Sequence, residues 1–172
     1  MRARSHKYDD KKLFWLRAGK EFVLFLVVAI LVFRFVVGVS RVSGESMEPT
    51  LKNGAPVVYF RLARHFERGQ VVSVRFPSED YYVKRVIAIA GDTVDIVDGQ
   101  VLVNGVPEGD GYAHSFTETV IDSQEEEGLT YPLTVGEGQI FVLGDHREVS
   151  VDSRAFGPVS TSQVRGKLLF VH

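Results

Sequence analysis

Residues 81–103 read YYVKRVIAIAGDTVDIVDGQVLV, and this stretch decides the fold. Runs rich in Val, Ile and Tyr occupy residues 81–90, 93–97 and 100–103. Asp98 and Gly99 separate the last two runs, and this dipeptide is typical of the two-residue turn of a β-hairpin. The stretch therefore predicts consecutive antiparallel strands.

Four more runs of the same composition lie outside this stretch, with turn residues between them: residues 56–61, 70–76, 139–144 and 166–172. Seven or more short strands with no intervening helical period predict a mainly β protein, with a barrel-like or sandwich-like antiparallel domain. Residues 107–131 form the extended polar stretch of this region and include three consecutive glutamates. We expect them to form a solvated loop or a β-excursion.

The N-terminal part has a different pattern. Seven Lys and Arg residues against two aspartates occupy the first twenty positions, and residues 22–39 then carry one charge, Arg34. A helix of 18 residues is about 27 Å long, close to the about 30 Å of a bilayer core. We therefore predict a tail at 1–21, a transmembrane anchor helix at 22–39 and a β domain at 40–172. Because basic residues favour the cytoplasmic side, the tail is predicted to be cytoplasmic and the β domain extracytoplasmic.

Two other interpretations of residues 22–39 are less favoured by the pattern. A cleaved signal peptide is disfavoured because its apolar region usually spans about 7 to 15 residues. A buried core helix is disfavoured because the run is apolar on every face.

Composition excludes several classes of function. The 172 residues carry a net charge of −2, which gives no indication of a nucleic-acid partner. The absence of cysteine excludes disulfides, thiol nucleophiles and thiolate metal sites. We expect neither a metal nor a cofactor, any nucleophile must be an oxygen or a nitrogen, and the oligomeric state is not indicated.

Two short segments contain candidate reactive groups. Ser46 lies in SGESMEPTL, residues 43–51, where Ser, Pro and Thr could equally shape a turn. Lys84 lies in the predicted strand 81–90, and alternation places the neighbouring Arg85 on the opposite face. One of the two cations is therefore expected to meet largely apolar surroundings, unless Lys84 is simply exposed at a strand edge.

The third segment, residues 144–159, reads GDHREVSVDSRAFGPV. If residues 150–154 are extended, Ser150, Asp152 and Arg154 line one face. A hydroxyl, a carboxylate and a guanidinium side by side can form an orienting hydrogen-bond network. The alternative is an exposed salt bridge worth about 0 to 1 kcal/mol.

These three segments, in this order after an apolar N-terminal run, resemble the motifs of the type I signal peptidases. Members of that family are membrane-anchored Ser/Lys proteases that remove signal peptides from exported preproteins. The resemblance implies that Ser46 is the nucleophile and Lys84 the general base. It also implies that Ser150 orients the lysine, and that the shape of the site is held by three further residues, Asp145, Asp152 and Arg154.

The same resemblance implies partners and location. Substrates would be preprotein signal peptides with small residues at the −3 and −1 positions, as in Ala-x-Ala. The second partner would be the lipid bilayer, and the protein would be a single-pass plasma-membrane protein with its catalytic domain outside. The oxyanion hole would use the backbone N–H of Ser46, because Gly44 stands where some members place a serine hydroxyl. The resemblance favours an ordinary β conformation of Gly44 that tolerates serine, and the alternative is a glycine required by a positive φ or by a substrate strand that passes close to its Cα.

The chemistry of the residues is consistent with this role. An ammonium cannot accept a proton, so Lys84 must be neutral, which requires its pKa to fall from about 10.4 to roughly 7 to 8. Arg85 cannot act as the base, because a guanidinium keeps its proton. Three alternatives stay open: a Ser-His-Asp arrangement through His146, a self-cleaving Ser/Lys protease of the same superfamily, and a non-catalytic, membrane-tethered, peptide-binding β domain.

Overall fold

The computed structural model of the chain describes residues 3–75, 81–108 and 129–170, with side chains from residue 14 onward. The chain divides into two compact units, Met1–Val37 and Gly38–His172. The first unit contains helix α1 (Ala3–Leu31), followed by a π-helical stretch, Val32–Val36.

The helix does not coincide with the predicted anchor segment 22–39. The helix begins far upstream of residue 22, and residues 37–39 belong to strand β1 (Val37–Arg41), which is hydrogen-bonded to a neighbouring strand of a sheet. Two of these three residues are valines, whose β-branched side chains favour strands over helices. In the strand, their backbone N–H and C=O groups find hydrogen-bond partners on the neighbouring strand. Within the described part of the chain, we find no helix with both the length and the apolar character needed to cross a membrane.

The second unit is built from short strands. After β1 these are β2 (Pro56–Phe60), β3 (Val71–Arg75), β4 (Tyr81–Ile89), β5 (Thr93–Val97), β6 (Gln100–Val103), β7 (Val106–Pro107), β8 (Leu133–Thr134), β9 (Gln139–Leu143), β10 (Val159–Ser160) and β11 (Val164–Leu169). Helix α2 (Ser153–Phe156) and a 3₁₀ turn (Thr161–Gln163) lie between β9 and β11.

The strands form two sheets. The first has the order β1-β2-β11-β3-β4-β9-β10 and the second the order β7-β6-β5-β8. In the first sheet, every neighbouring pair in the order β2-β11-β3-β4-β9-β10 is antiparallel. In the second sheet, all neighbouring pairs are antiparallel. The predicted mainly β, antiparallel fold is therefore confirmed.

The hairpin at Asp98 and Gly99 is confirmed. Val97 pairs with Gln100, and both turn residues have positive φ, 49° and 74°. This is the backbone that a two-residue turn between right-twisted strands requires.

Two predicted segments differ from the structure. The last strand, predicted at 166–172, begins at Val164 and ends at Leu169, and residues 171–172 lie outside the described residues. Residues 150–154 are not one extended segment, because Asp152 caps α2 and the chain turns helical at Ser153. Most of the predicted polar excursion 107–131, residues 109–128, also lies outside the described residues.

The packing of the second unit fixes two elements that carry candidate residues. Strand β4 is held between β3 and β9, so Lys84 and Arg85 lie in the interior of the sheet. Met47 is fully buried in a cluster with Val57, Tyr59 and others, and this anchors the turn that presents Ser46.

Candidate active site

Lys84 has no exposed surface in the centre of the first sheet. Its Nζ donates a hydrogen bond to Ser150 Oγ at 2.8 Å and lies 5.8 Å from the ring centre of Tyr82. Burial lowers the pKa of Lys84 to about 8, against the opposing effect of the Asp152 carboxylate. The side chain is therefore poised to exchange a proton near neutral pH.

Arg85 is also buried, but it has a carboxylate partner. Its Nε and Nη2 donate to the two oxygens of Asp145 at 2.8 and 2.7 Å, and its Nη1 donates to the carbonyl of Gly69 at 2.7 Å. The two adjacent cations of β4 thus differ in surroundings, as the alternation of faces predicted. Lys84 meets a hydroxyl, whereas Arg85 makes a two-pronged ion pair.

Ser46 and Ser150 meet at Gly144. A Cβ atom placed on Gly144 would collide with Ser150 Oγ and with the carbonyl oxygen of Ser46. The same carbonyl accepts a hydrogen bond from the backbone N–H of His146 at 3.0 Å. The structure therefore brings the half-buried Ser46, Gly144 and the Lys84–Ser150 pair into one locality.

Asp152 and Arg154 form an ion pair that is hydrogen-bonded to the backbone of Gly144 and Ser150. Arg154 Nε donates to Asp152 Oδ1 at 2.8 Å, and Asp152 Oδ2 accepts the N–H of Gly144 at 3.0 Å. Arg154 Nη2 also donates to the carbonyls of Arg147 and Ser150, at 2.6 and 3.1 Å. The predicted contact between Asp152 and Arg154 is present, although it forms across a helix cap rather than along a strand.

A scan of protein families matches residues 15–172 to the family described as signal peptidase, peptidase S26. The chain belongs to this family. Its members are serine peptidases, and the activity is the cleavage of signal peptides.

Two signal peptidases that are similar in sequence agree with the family match. Signal peptidase IB of Staphylococcus aureus (strain N315) is 35% identical over 156 residues, 84% of this chain and 82% of that protein. Signal peptidase I of Bacillus licheniformis is 32% identical over 171 residues, 96% and 92% of the two chains. A crystal structure of a signal peptidase I from Enterococcus faecalis V583 is 31% identical, covers 62% of this chain and 98% of its own, and has a TM-score of 0.47.

His146 is the base of the alternative Ser-His-Asp arrangement. It contacts Ser46 through its backbone, because its N–H donates to the Ser46 carbonyl. Its ring Nδ1 is buried and has no hydrogen-bond partner among the described residues. A catalytic histidine needs that nitrogen oriented, usually by a carboxylate. The geometry favours Lys84 over His146.

Gly44 differs from the sequence expectation. Its φ is +91°, outside the ordinary β conformation that we predicted, and its N–H donates to Asn53 Oδ1 at 3.2 Å. A Cβ atom placed on Gly44 would meet no atom within 4 Å, so the constraint is the backbone conformation and not space.

Three residues of the site are not singled out by the sequence pattern. In the sequence, Gly144 is only the first residue of the polar segment 144–159, and Arg147 is one of several polar residues in it. In the structure, Gly144 lies against Ser46 and Ser150, and Arg147 donates a hydrogen bond to the carbonyl of Gly144. Glu108, which is paired with Arg147, lies 39 residues away and outside every motif. No signal in the sequence connects the last two.

Proposed function

We propose that the chain cleaves signal peptides with Ser46 as nucleophile and Lys84 as general base. The observation that carries the proposal is the fully buried Lys84, whose burial lowers its pKa to about 8 and whose Nζ is hydrogen-bonded to Ser150 beside the Ser46 turn. A non-catalytic peptide-binding domain would have no use for a lysine in these surroundings.

In this mechanism neutral Lys84 accepts the proton of Ser46 Oγ as the oxygen attacks the scissile carbonyl carbon. The developing oxyanion is stabilised by the backbone N–H of Ser46. The lysine ammonium then protonates the leaving amine, and water hydrolyses the acyl-enzyme through the same base. Activity should rise with pH through about 8, because only the neutral lysine can take the proton.

The supporting residues have separate roles in this proposal. Ser150 orients Lys84 through the 2.8 Å hydrogen bond. Asp152 and Arg154 hold Gly144 and the carbonyl of Ser150, and Asp145 neutralises Arg85 next to the base. None of them needs to touch the substrate to affect the rate.

The assignment is tested by variants assayed on a preprotein with an Ala-x-Ala site. Ser46→Ala and Lys84→Arg should each lose at least about 10³-fold in kcat while remaining folded. Ser162→Ala, which changes an exposed serine in the 3₁₀ turn, is the matched control and should cleave like the wild type. Cleavage by Ser46→Ala at the control rate would rule out the nucleophile.

We also infer that the protein is attached to the plasma membrane by its N-terminal segment, with the second unit outside the cell. Supporting this, most apolar side chains between residues 22 and 35 are solvent-exposed, including Phe22, Phe25, Ile30 and Phe33 at 62 to 65%. Exposed apolar clusters of this kind mark protein or membrane contacts. Preprotein signal peptides, themselves apolar, would be met at the same surface.

Protease added to intact protoplasts tests this orientation. It should digest the second unit, and the protein should sediment with membranes. Recovery in the soluble fraction, or complete protection from the protease, would contradict the attachment or the orientation respectively.

A further inference from the structure

Arg147 and Asp152 both form hydrogen bonds with the backbone of Gly144. Its Nε donates to the carbonyl oxygen of Gly144 at 2.9 Å, whereas Asp152 accepts the N–H of the same residue at 3.0 Å. Gly144 is the residue against which the Ser46 carbonyl and Ser150 Oγ pack. The placement of Gly144 therefore bears directly on the distance between nucleophile and base.

The side chain of Arg147 is in turn held from the second sheet. Its Nη2 donates to Glu108 Oε2 at 2.8 Å, and the two side chains are only 4% and 13% exposed. Glu108 follows β7, and its own N–H is fixed by the carbonyl of Val101 at 2.9 Å. The carboxylate is thus presented by a hydrogen-bonded hairpin.

We propose that Glu108 is a positioning residue for the cleavage reaction, acting through Arg147 and Gly144 on the Ser46–Lys84 pair. The inference rests on the proposed function. An ion pair with little solvent access is stronger and more rigid than one at the surface. Glu108 thus connects the second sheet to the segment 144–150 by an ion pair with little solvent access, in addition to the hydrophobic cluster that Leu143 shares with Val101 and Val103.

Loss of Glu108 should loosen the segment around Gly144 without touching the substrate. The expected result for Glu108→Ala is a fall in kcat of about 10- to 100-fold with KM close to the wild-type value, since small misplacements of reacting groups have effects of this size. A looser segment also admits water to Lys84. The charged groups that act on Lys84, namely Asp152, Arg154 and Asp145, remain in place.

The pH profile separates positioning from simple destabilisation. Because burial is the main cause of the lowered pKa of Lys84, added hydration should move the rise of kcat to higher pH. A role in folding alone would lower the melting temperature and leave the profile in place. Glu108→Gln keeps an acceptor oxygen for Arg147 and should give a smaller loss and a smaller shift.

The experiment uses the full chain in detergent and compares Glu108→Ala, Glu108→Gln and Glu137→Ala with the wild type. Glu137 lies exposed in the turn before β9, so its variant removes the same charge away from the site and should behave like the wild type. Ser46→Ala is assayed on the same substrate. If Glu108→Ala does not fold, the kcat and pH profile of Glu108→Gln decide the question.

Each outcome bears on a different claim. A reduced kcat with an alkaline shift supports the positioning role. A wild-type kcat and pH profile in the Glu108 variants, with Ser46→Ala inactive, overturns this inference alone. An active Ser46→Ala overturns the proposed function, and this inference with it.

Discussion

The burial of Lys84 disfavours its charged form and so makes the stability of the fold depend on pH. The pKa of Lys84 is about 8 in the fold and 10.5 in an unperturbed chain, so the unfolded state binds more protons between these values. The free energy of unfolding therefore rises with pH across this window. Below pH 8 Lys84 is charged in the folded state, and burial of this ammonium lowers the free energy of unfolding by about 3 kcal/mol.

Replacement of the lysine by an apolar side chain tests this pH dependence. Lys84→Met should gain stability relative to the wild type at pH 7, and the gain should shrink by about 3 kcal/mol towards pH 10.5. Denaturant unfolding of both proteins at several pH values measures it. Met leaves Ser150 Oγ without its partner at every pH, so the change with pH is the diagnostic quantity. A difference between the proteins that stays constant with pH would contradict the buried-ammonium account.

Gly44 gives a second prediction at the residue scale. With φ at +91°, a serine here would be held in a conformation that disfavours L side chains by about 1 to 2 kcal/mol. Gly44→Ser should therefore lower both the melting temperature and kcat, by displacing the turn two residues before Ser46. A kcat equal to or above the wild type, at unchanged stability, would show that the backbone relaxes and that a hydroxyl is tolerated.

Much of the residue-level chemistry was predictable because it follows from local rules. Strand alternation separated Lys84 from Arg85, and proton chemistry excluded Arg85 as a base, because a guanidinium keeps its proton. The partner of Arg85 was not predictable, since Asp145 lies 60 residues away and only folding brings it near. The φ of Gly44 was equally hidden, because glycine permits both signs.

At the scale of elements, the pair Arg85–Asp145 joins strand β4 to the segment that contains Gly144 and Ser150. Its side chains are 5% and 0% exposed, and removal of one partner leaves a buried charge uncompensated. Asp145→Asn should therefore destabilise the protein by about 3 to 5 kcal/mol. Replacement of both partners, Arg85→Met with Asp145→Leu, should recover most of that loss.

Chemical denaturation measures this prediction, with Asp98→Asn as the matched control. Asp98 lies exposed in the β5–β6 turn at positive φ, which asparagine also accepts, so its variant should unfold like the wild type. Equal stabilities of Asp145→Asn and the control would show that the ion pair contributes nothing to the fold.

Elements were predictable where their signals are local. Strands β5 and β6 match the predicted bounds because Asp98 and Gly99 fix the hairpin between them. Strands β7, β8 and β10 have two residues each, too few to show an alternation. Strand β1 was merged with the helix, because valines that continue an apolar run look the same in a strand and in a buried helix.

At the scale of the whole molecule, the second unit contains the complete candidate site. Ser46, Lys84, Ser150 and the network of Asp152 all lie within Gly38–His172, as do the three hydrophobic clusters. A unit with its own core should fold by itself. On the proposed function, we therefore expect the second unit alone to keep its activity on a soluble substrate.

This separation gives the last prediction. A fragment of residues 38–172 should unfold cooperatively and should cleave a short soluble peptide carrying an Ala-x-Ala site with a kcat close to that of the full chain. With membrane-embedded preproteins the full chain should have the higher kcat/KM, because attachment raises the local concentration of enzyme and substrate. The same fragment with Ser46→Ala controls for contaminating proteases. A fragment that folds but cleaves neither substrate would show that the first unit completes the site itself.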